Sequence, residues 1–218
     1  MLKQIYQAIL DTVFPPKCPI CHTYVEGRGQ WCSICLGKVV TKHYAPLDSE
    51  HVKFLDQCIV LCHYRQGLKQ LIHAIKYYKK LHYIAPLIWL LNREVSLATL
   101  PMISIVVPVP LHADRLKERG FNQSEKIFHP WANQQGLEWQ NILIRTKATV
   151  KQHNLTIAER KQNIKDAFTI IEQMKLKGKT VLLVDDIFTT GATMNECAKM
   201  LKQAGAVKVI GLTIASDA

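Results

Sequence analysis

Acidic residues are scarce in this chain. Aspartate and glutamate number 17 against 28 lysines and arginines, a formal net charge of +11. Such an excess fits a polyanionic partner, whether nucleic acid, a phosphorylated metabolite or an acidic membrane surface; the alternative is a generally basic cytoplasmic protein. Apolar runs of transmembrane length are missing too, which argues against a spanning helix. The opening MLKQIYQAILDTVF is too short and too polar for a secretory signal. It reads as a short amphipathic helix with Leu2, Ile5, Ile9 and Val13 near one face. A soluble, cytoplasmic protein is therefore expected. No glycine-rich turn leads into GKS or GKT, so a Walker-type nucleotide loop is excluded, and any motor must come from a partner. No internal repeat is present. The 218 residues suffice for one medium domain plus a small module.

Four of the seven cysteines form two knuckles, CPIC (Cys18, Cys21) and CSIC (Cys32, Cys35), separated by a short loop with Gly27 and Gly29. Two C-x-x-C pairs at this separation supply four thiolates to one tetrahedral Zn²⁺ in a ribbon. Two disulfides are the alternative, although nothing else points to an oxidising compartment. A shell closed by four cysteines holds a structural metal, which supplies folding energy rather than chemistry. Cys58 and Cys62 lie in an apolar strand-like run and read as same-face sheet residues. Cys197 falls in the stripe Met194, Cys197, Ala198, Leu201 of a helix.

Residues 181–193, VLLVDDIFTTGAT, carry the densest signal. The apolar run Val181–Val184 leads into Asp185 and Asp186, then a hydroxyl-rich turn, then a helix. A buried parallel strand opening onto a helix N-terminus makes a phosphate-and-sugar site. The backbone N–H groups from Thr189 through Thr190, Gly191 and Ala192 to Thr193 are placed to wrap a phosphate monoester, and the threonine hydroxyls add donors. Gly191 lets the backbone approach closely. Asp185 and Asp186 are expected beside the sugar, accepting from ribose hydroxyls and helping to hold Mg²⁺. The alternative is a strand–turn–helix with chance acids and threonines. The run resembles the phosphoribosyl pyrophosphate (PRPP) motif of type I phosphoribosyltransferases.

Elsewhere, a linker is expected over residues 41–56 and a strand near residues 57–64. A helix with Leu68, Leu71, Ile72 and Ile75 buried follows, then one with Ile84, Leu87, Ile88 and Leu91. From about residue 100 strands alternate with helices: ISIVVPVP, a helix from Asn122, ILI before Arg145, a polar stretch over residues 158–165, FTII, VLLVDD, a helix and VKVIGLTIA. This pattern predicts a parallel α/β sheet. The full expectation is an α/β fold: a type I phosphoribosyltransferase-like parallel sheet with helices on both faces (residues 49–218), preceded by a small N-terminal helix and four-cysteine zinc ribbon (residues 1–48). A hood selecting the acceptor is expected from about residues 50–100.

The stretch VPVPLHADRLKERGFNQS (residues 107–124) reads as a strand end, a basic loop with Arg115, Lys117 and Arg119, and a helix start. In this fold class the loop faces pyrophosphate, and its arginines are suited to bidentate pairing; a solvated basic loop is the alternative. A ribbon, then PVPL…RxxERGFNQ, then Arg145, Gln152, Arg160 and Asn163, then VDDxxTTGAT, in this order, resemble the ComF (ComFC) family of competence proteins. The resemblance covers essentially the whole chain. It implies a role in natural transformation, moving incoming single-stranded DNA into the cytoplasm beside a helicase-like competence translocase, with peripheral association with the uptake machinery. Leu2 follows Met1, so the amidophosphoribosyltransferase cysteine nucleophile, and with it a glutaminase half, is not expected.

Two functions are weighed. In the first, PRPP and single-stranded DNA bind to a DNA-uptake factor. The DNA-contact candidates are Lys147, Lys151, Lys161 and Lys165, with Arg28, Lys38 and Lys42 on the ribbon. Trp31, Tyr24 and Tyr44 either stack bases or, the favoured reading, pack over the zinc core. In the second, the chain is an enzyme that transfers phosphoribose to an unidentified acceptor, with Asp185 and Asp186 as the catalytic pair and Arg115 and Arg119 on pyrophosphate. No residue is assigned as acceptor base, and Glu118 is no more than a guess. A third class, a regulator sensing PRPP, lacks a recognition helix.

Overall fold

The structure is a computed structural model and describes residues 11–47, 52–147, 164–171 and 176–217. Most of the expected N-terminal helix, together with Lys151, Gln152, Arg160, Lys161 and Asn163, lies outside the described residues.

Five strands form one sheet: β1 (Val40–Tyr44), β2 (Gln57–His63), β3 (Ile105–Pro108), β6 (Thr180–Phe188) and β7 (Lys208–Ser216), in the order β1-β2-β7-β6-β3. β2, β7, β6 and β3 are parallel, and β1 closes one edge antiparallel to β2. A separate antiparallel pair joins β4 (Leu143–Arg145) to β5 (Phe168–Ile170). The expected parallel sheet is thus mixed at one edge. β1 also corrects the linker expected over residues 41–56: Thr41, Lys42, His43 and Tyr44 lie on a strand with no buried residue, a weaker pattern than the all-apolar runs of the centre.

The central strands are buried on both sides, so alternate residues feed two cores. Leu182, Val184, Ile210 and Leu212 pack on one face with helices α2 (Gln66–Tyr78), α3 (Ile84–Glu94) and α5 (Gln123–Gln134). Val181, Leu183, Val107 and Val209 pack on the other with α6 (Ala192–Gln203) and the β4–β5 pair. Leu68, Leu71, Ile72 and Ile75 are buried on α2 as their spacing predicts. Cys58 and Cys62 are both buried but join different cores, Cys58 beside Met194 and Cys62 with the α3 side. Cys197 is core, as expected.

The ribbon sits on the first face. Cys32 caps α1 (Ser33–Val39), its sulfur accepting from Cys35 N–H at 3.4 Å. Ile20, between the first two cysteines, fills the space over Gly67, where any Cβ would collide with it. Trp31 is buried and its indole N–H donates to the Pro86 carbonyl at 3.0 Å. Gly29, with φ +83°, lies against the Ala85 backbone. The ribbon is therefore wedged on the starts of α2 and α3.

Beyond β3 the chain turns to the first face through α5. Beyond β6 it turns to the second through α6. This divergence opens a crevice at the carboxyl ends of the parallel strands.

Candidate functional site

Strand β6 does not stop before the acids. It pairs with β7 through Asp185 opposite Thr213 and on to Phe188 opposite Ser216. The acids therefore sit inside the strand and, by alternation, turn to opposite faces. Asp186 is buried and its carboxylate meets the Lys76 ammonium of α2 at 2.5 Å. Asp185 accepts from the Ser124 hydroxyl and from the Asp186 N–H, each at 2.8 Å. Burial and then the adjacent Asp186 charge push the Asp185 carboxyl up to about 7.

Ser124 is placed by a cap. Asn122 donates to the Val109 carbonyl at the end of β3 and accepts from Ser124 N–H, both at 3.0 Å. The start of α5 is thereby tied to the strand end.

The turn after β6 is shaped by Gly191. Its φ is +74°, and a Cβ there would lie 2.8 Å from the Phe188 ring and 3.1 Å from Val52. Gly191 caps α6 with no side chain of its own. Behind it, Asn195 accepts from Phe54 N–H at 2.9 Å, holding residues 52–56 against the turn. Thr189, Gly191 and Thr193 line the crevice. Thr190 instead accepts from Ala192 N–H at 3.4 Å, bracing the turn.

The basic loop expected after β3 is a helix, α4 (Ala113–Arg119), capped by His112 and closed by Gly120 at φ +85°. A helix puts Arg115 and Arg119 on one face, and both line the crevice, as does Glu118. Arg119 also bonds the Gln123 amide oxygen. Arg145 of β4 is buried at the crevice, its guanidinium 5.5 Å from the Phe168 ring centre; burial and then the Arg115 charge lower its pKa. The resulting cavity holds about 410 Å³, with Tyr64 and, from α2, Lys69, His73 and Tyr77 forming a wall. That wall comes from the 50–100 segment.

Lys76, Ser124 and the α2 aromatics are site residues that the strand motif does not reveal. Of the residues outside that motif and the basic segment, Arg145 alone carries a sequence signal, as a ComF motif position. Lys147 and Lys165 come together, Lys147 Nζ donating to the Lys165 carbonyl at 3.3 Å where the β4–β5 pair opens. Of the ribbon cations, Arg28 is paired with Asp11 at 2.7 Å and Lys42 donates to the Glu94 carbonyl. Trp31 packs as expected, whereas Tyr24 and Tyr44 are exposed, which corrects the packing reading for those two.

The sulfurs of Cys18, Cys21, Cys32 and Cys35 all lie within 4.8 Å of one another, and none is in a disulfide. Four thiolates on one Zn²⁺ have sulfurs about 3.8 Å apart, so the donor set fits that ion. Among the described residues no helix is long and apolar enough to cross a membrane.

The sheet, its crevice and the ribbon define a phosphoribosyltransferase-type domain behind a zinc ribbon. Residues 138–217 match the phosphoribosyl transferase domain family and residues 9–46 the double zinc ribbon domain family. Among curated proteins, the chain is 37% identical over 151 residues to DNA utilization protein YhgH of Salmonella typhi, covering 67% of this chain and 66% of that one. It is 34% identical to YhgH of Escherichia coli over 69% of this chain and 68% of that protein. Against Competence protein F of Haemophilus influenzae identity is 29% over 89% of this chain and 82% of that one. The aligned region thus spans about two thirds of the YhgH relatives. The chain belongs to this ComF family of competence and DNA-utilization proteins.

Proposed function

We propose that this chain acts in natural transformation, on the cytoplasmic side, binding PRPP with Mg²⁺ in the crevice and single-stranded DNA on its basic surface, beside a helicase-like translocase that supplies the motor. The observation that carries the ligand reading is the convergence of Asp185, Asp186, the Gly191 turn and three arginines on one 410 Å³ cavity. In this reading the turn from Thr189 to Thr193 holds the 5′-phosphate at the start of α6. Asp185 and Asp186 accept from the ribose hydroxyls, and Arg115, Arg119 and Arg145 face the pyrophosphate. Two adjacent carboxylates at a phosphate site suit Mg²⁺, which would neutralise pyrophosphate charge. The DNA role draws on the relatives' competence and DNA-utilization names and on the net charge of +11.

Phosphoribosyl transfer to an unidentified acceptor is the second reading, favoured by a crevice that both carboxylates and all three arginines line. No residue stands out as acceptor base, although Glu118 lines the crevice.

Calorimetric titration with PRPP and Mg²⁺ tests the ligand reading. Asp185 must be ionised to meet Mg²⁺, so affinity is expected about tenfold weaker at pH 6 than at pH 8, with a flatter profile in Asp185→Asn. The sign for folding is opposite. A raised carboxyl pKa means that the folded chain holds more protons than the unfolded chain between about pH 4 and 7, so ligand-free stability falls as pH rises through that window. Absence of binding at millimolar PRPP at either pH contradicts the reading.

A further inference from the structure

We propose that the C-terminal half of α2, together with the end of α4, is the platform on which single-stranded DNA stacks its bases. This inference rests on the DNA-binding reading above and moves the principal contact away from Lys147 and Lys165.

Three rings cluster on the outer face of α2. His73 lies 4.4 Å from the Tyr77 ring centre and 5.7 Å from that of Tyr78. Tyr77 is 58% exposed and Tyr78 68% exposed. A tyrosine offers a large apolar face whose burial is favourable, and isolated exposed aromatics are ordinary. Two of them side by side with an exposed histidine, at the mouth of a crevice lined by arginines, form an apolar surface suited to a flat partner.

Cations surround the rings. The Arg119 guanidinium carbon is 5.9 Å from the Tyr77 ring centre, which bridges α2 to α4. Lys79 reaches across to Gly120, its Nζ 3.9 Å from where a Cβ would stand. Lys80, just past the end of α2, and Lys117 on α4 are exposed, as is Lys69 earlier on α2, beside Tyr64. Among the described residues none of these five cations is paired with a carboxylate. Some other surface cations are committed: Arg28 to Asp11, Lys199 to Asp166 and Lys202 to Asp56. Glu118 is the carboxylate on this ridge, and the cations outnumber it.

Unpaired cations interleaved with exposed rings are what a single strand requires: charge for the backbone and faces for the bases. Duplex DNA satisfies only the first, because its bases are already stacked. The position also gives the strand a geometric relation to the crevice, since Tyr77 and Arg119 belong to both surfaces.

The test uses the full chain, a labelled oligo(dT) of about 20 nucleotides and its duplex with oligo(dA), read by fluorescence anisotropy. Tyr78 lies outside the crevice lining and is mostly exposed, so Tyr78→Ala is expected to keep its melting temperature. The expected result is about tenfold weaker single-strand binding in Tyr78→Ala, near-normal binding in Tyr78→Phe, and PRPP affinity unchanged in both. Lys80→Glu should weaken binding and lower the salt dependence. Single-strand binding unchanged in Tyr78→Ala and Lys80→Glu overturns this platform while leaving the DNA-binding reading intact, as does equal affinity of the wild type for duplex and single strand. A wild-type chain that binds no DNA overturns that reading and this one with it.

Discussion

Replacing both Asp185 and Asp186 by alanine is expected to abolish PRPP binding, with a loss of roughly a thousandfold. A hydrogen bond to a charged group contributes about 1.5–3 kcal/mol, and each carboxylate makes at least one to the ligand in the proposed pose. The double variant also strands the Lys76 ammonium, which now meets Asp186 at 2.5 Å in a mostly buried setting. An uncompensated charge there lowers stability as well. Asp185→Asn separates the two effects, because an amide oxygen still accepts from Ser124 and from the Asp186 N–H. Calorimetry reads the ligand loss, and transformation frequency reads its meaning in the cell. If transformation is abolished while single-strand affinity holds, the ligand is part of the function. Transformation at wild-type frequency would make the crevice dispensable.

Cys18→Ser or Cys32→Ser is expected to release one equivalent of zinc and unfold the ribbon. Apparent binding energies of structural Zn²⁺ run to about 10–16 kcal/mol, and in a module this small that energy is folding energy. The damage should spread. Ile20 is seated over Gly67 at the start of α2, and Trp31 is bonded to Pro86 in α3. α2 carries Lys76 to Asp186, so a loosened ribbon loosens a wall of the crevice. The measurements are metal content by mass spectrometry, the melting curve and PRPP affinity, all of which should fall together. A variant that keeps full zinc and full stability contradicts the four-thiolate assignment.

Much of this was legible where the signal is local. The run VLLVDD is apolar on both faces and bounded by a turn, so a central buried strand follows from it, and Gly191 marks the turn that needs a positive φ. CPIC and CSIC give the ribbon by spacing alone. Asn122 announces the start of α5 because a cap is a local device. Long-range pairing is another matter. Lys76 looks like one more solvent lysine on an amphipathic helix until the sheet brings Asp186 to it. Ser124 reaches Asp185 across 61 positions of sequence. The basic segment after β3 reads as a loop because its charges mask a two-turn helix, and that helix is what aligns Arg115 with Arg119. β1 was hidden for a similar reason: an edge strand with a solvent face has too few apolar residues to stand out from a linker.

The most direct measurement is anisotropy of a labelled single-stranded oligonucleotide across a salt series, with and without PRPP and Mg²⁺. Binding is expected to weaken steeply with salt, with a log–log slope of about −0.7 per phosphate contacted, and the affinity to change when PRPP occupies the adjoining crevice. No binding at moderate salt, with or without PRPP, would mean that the charge of +11 is generic and would contradict the role proposed in handling incoming DNA.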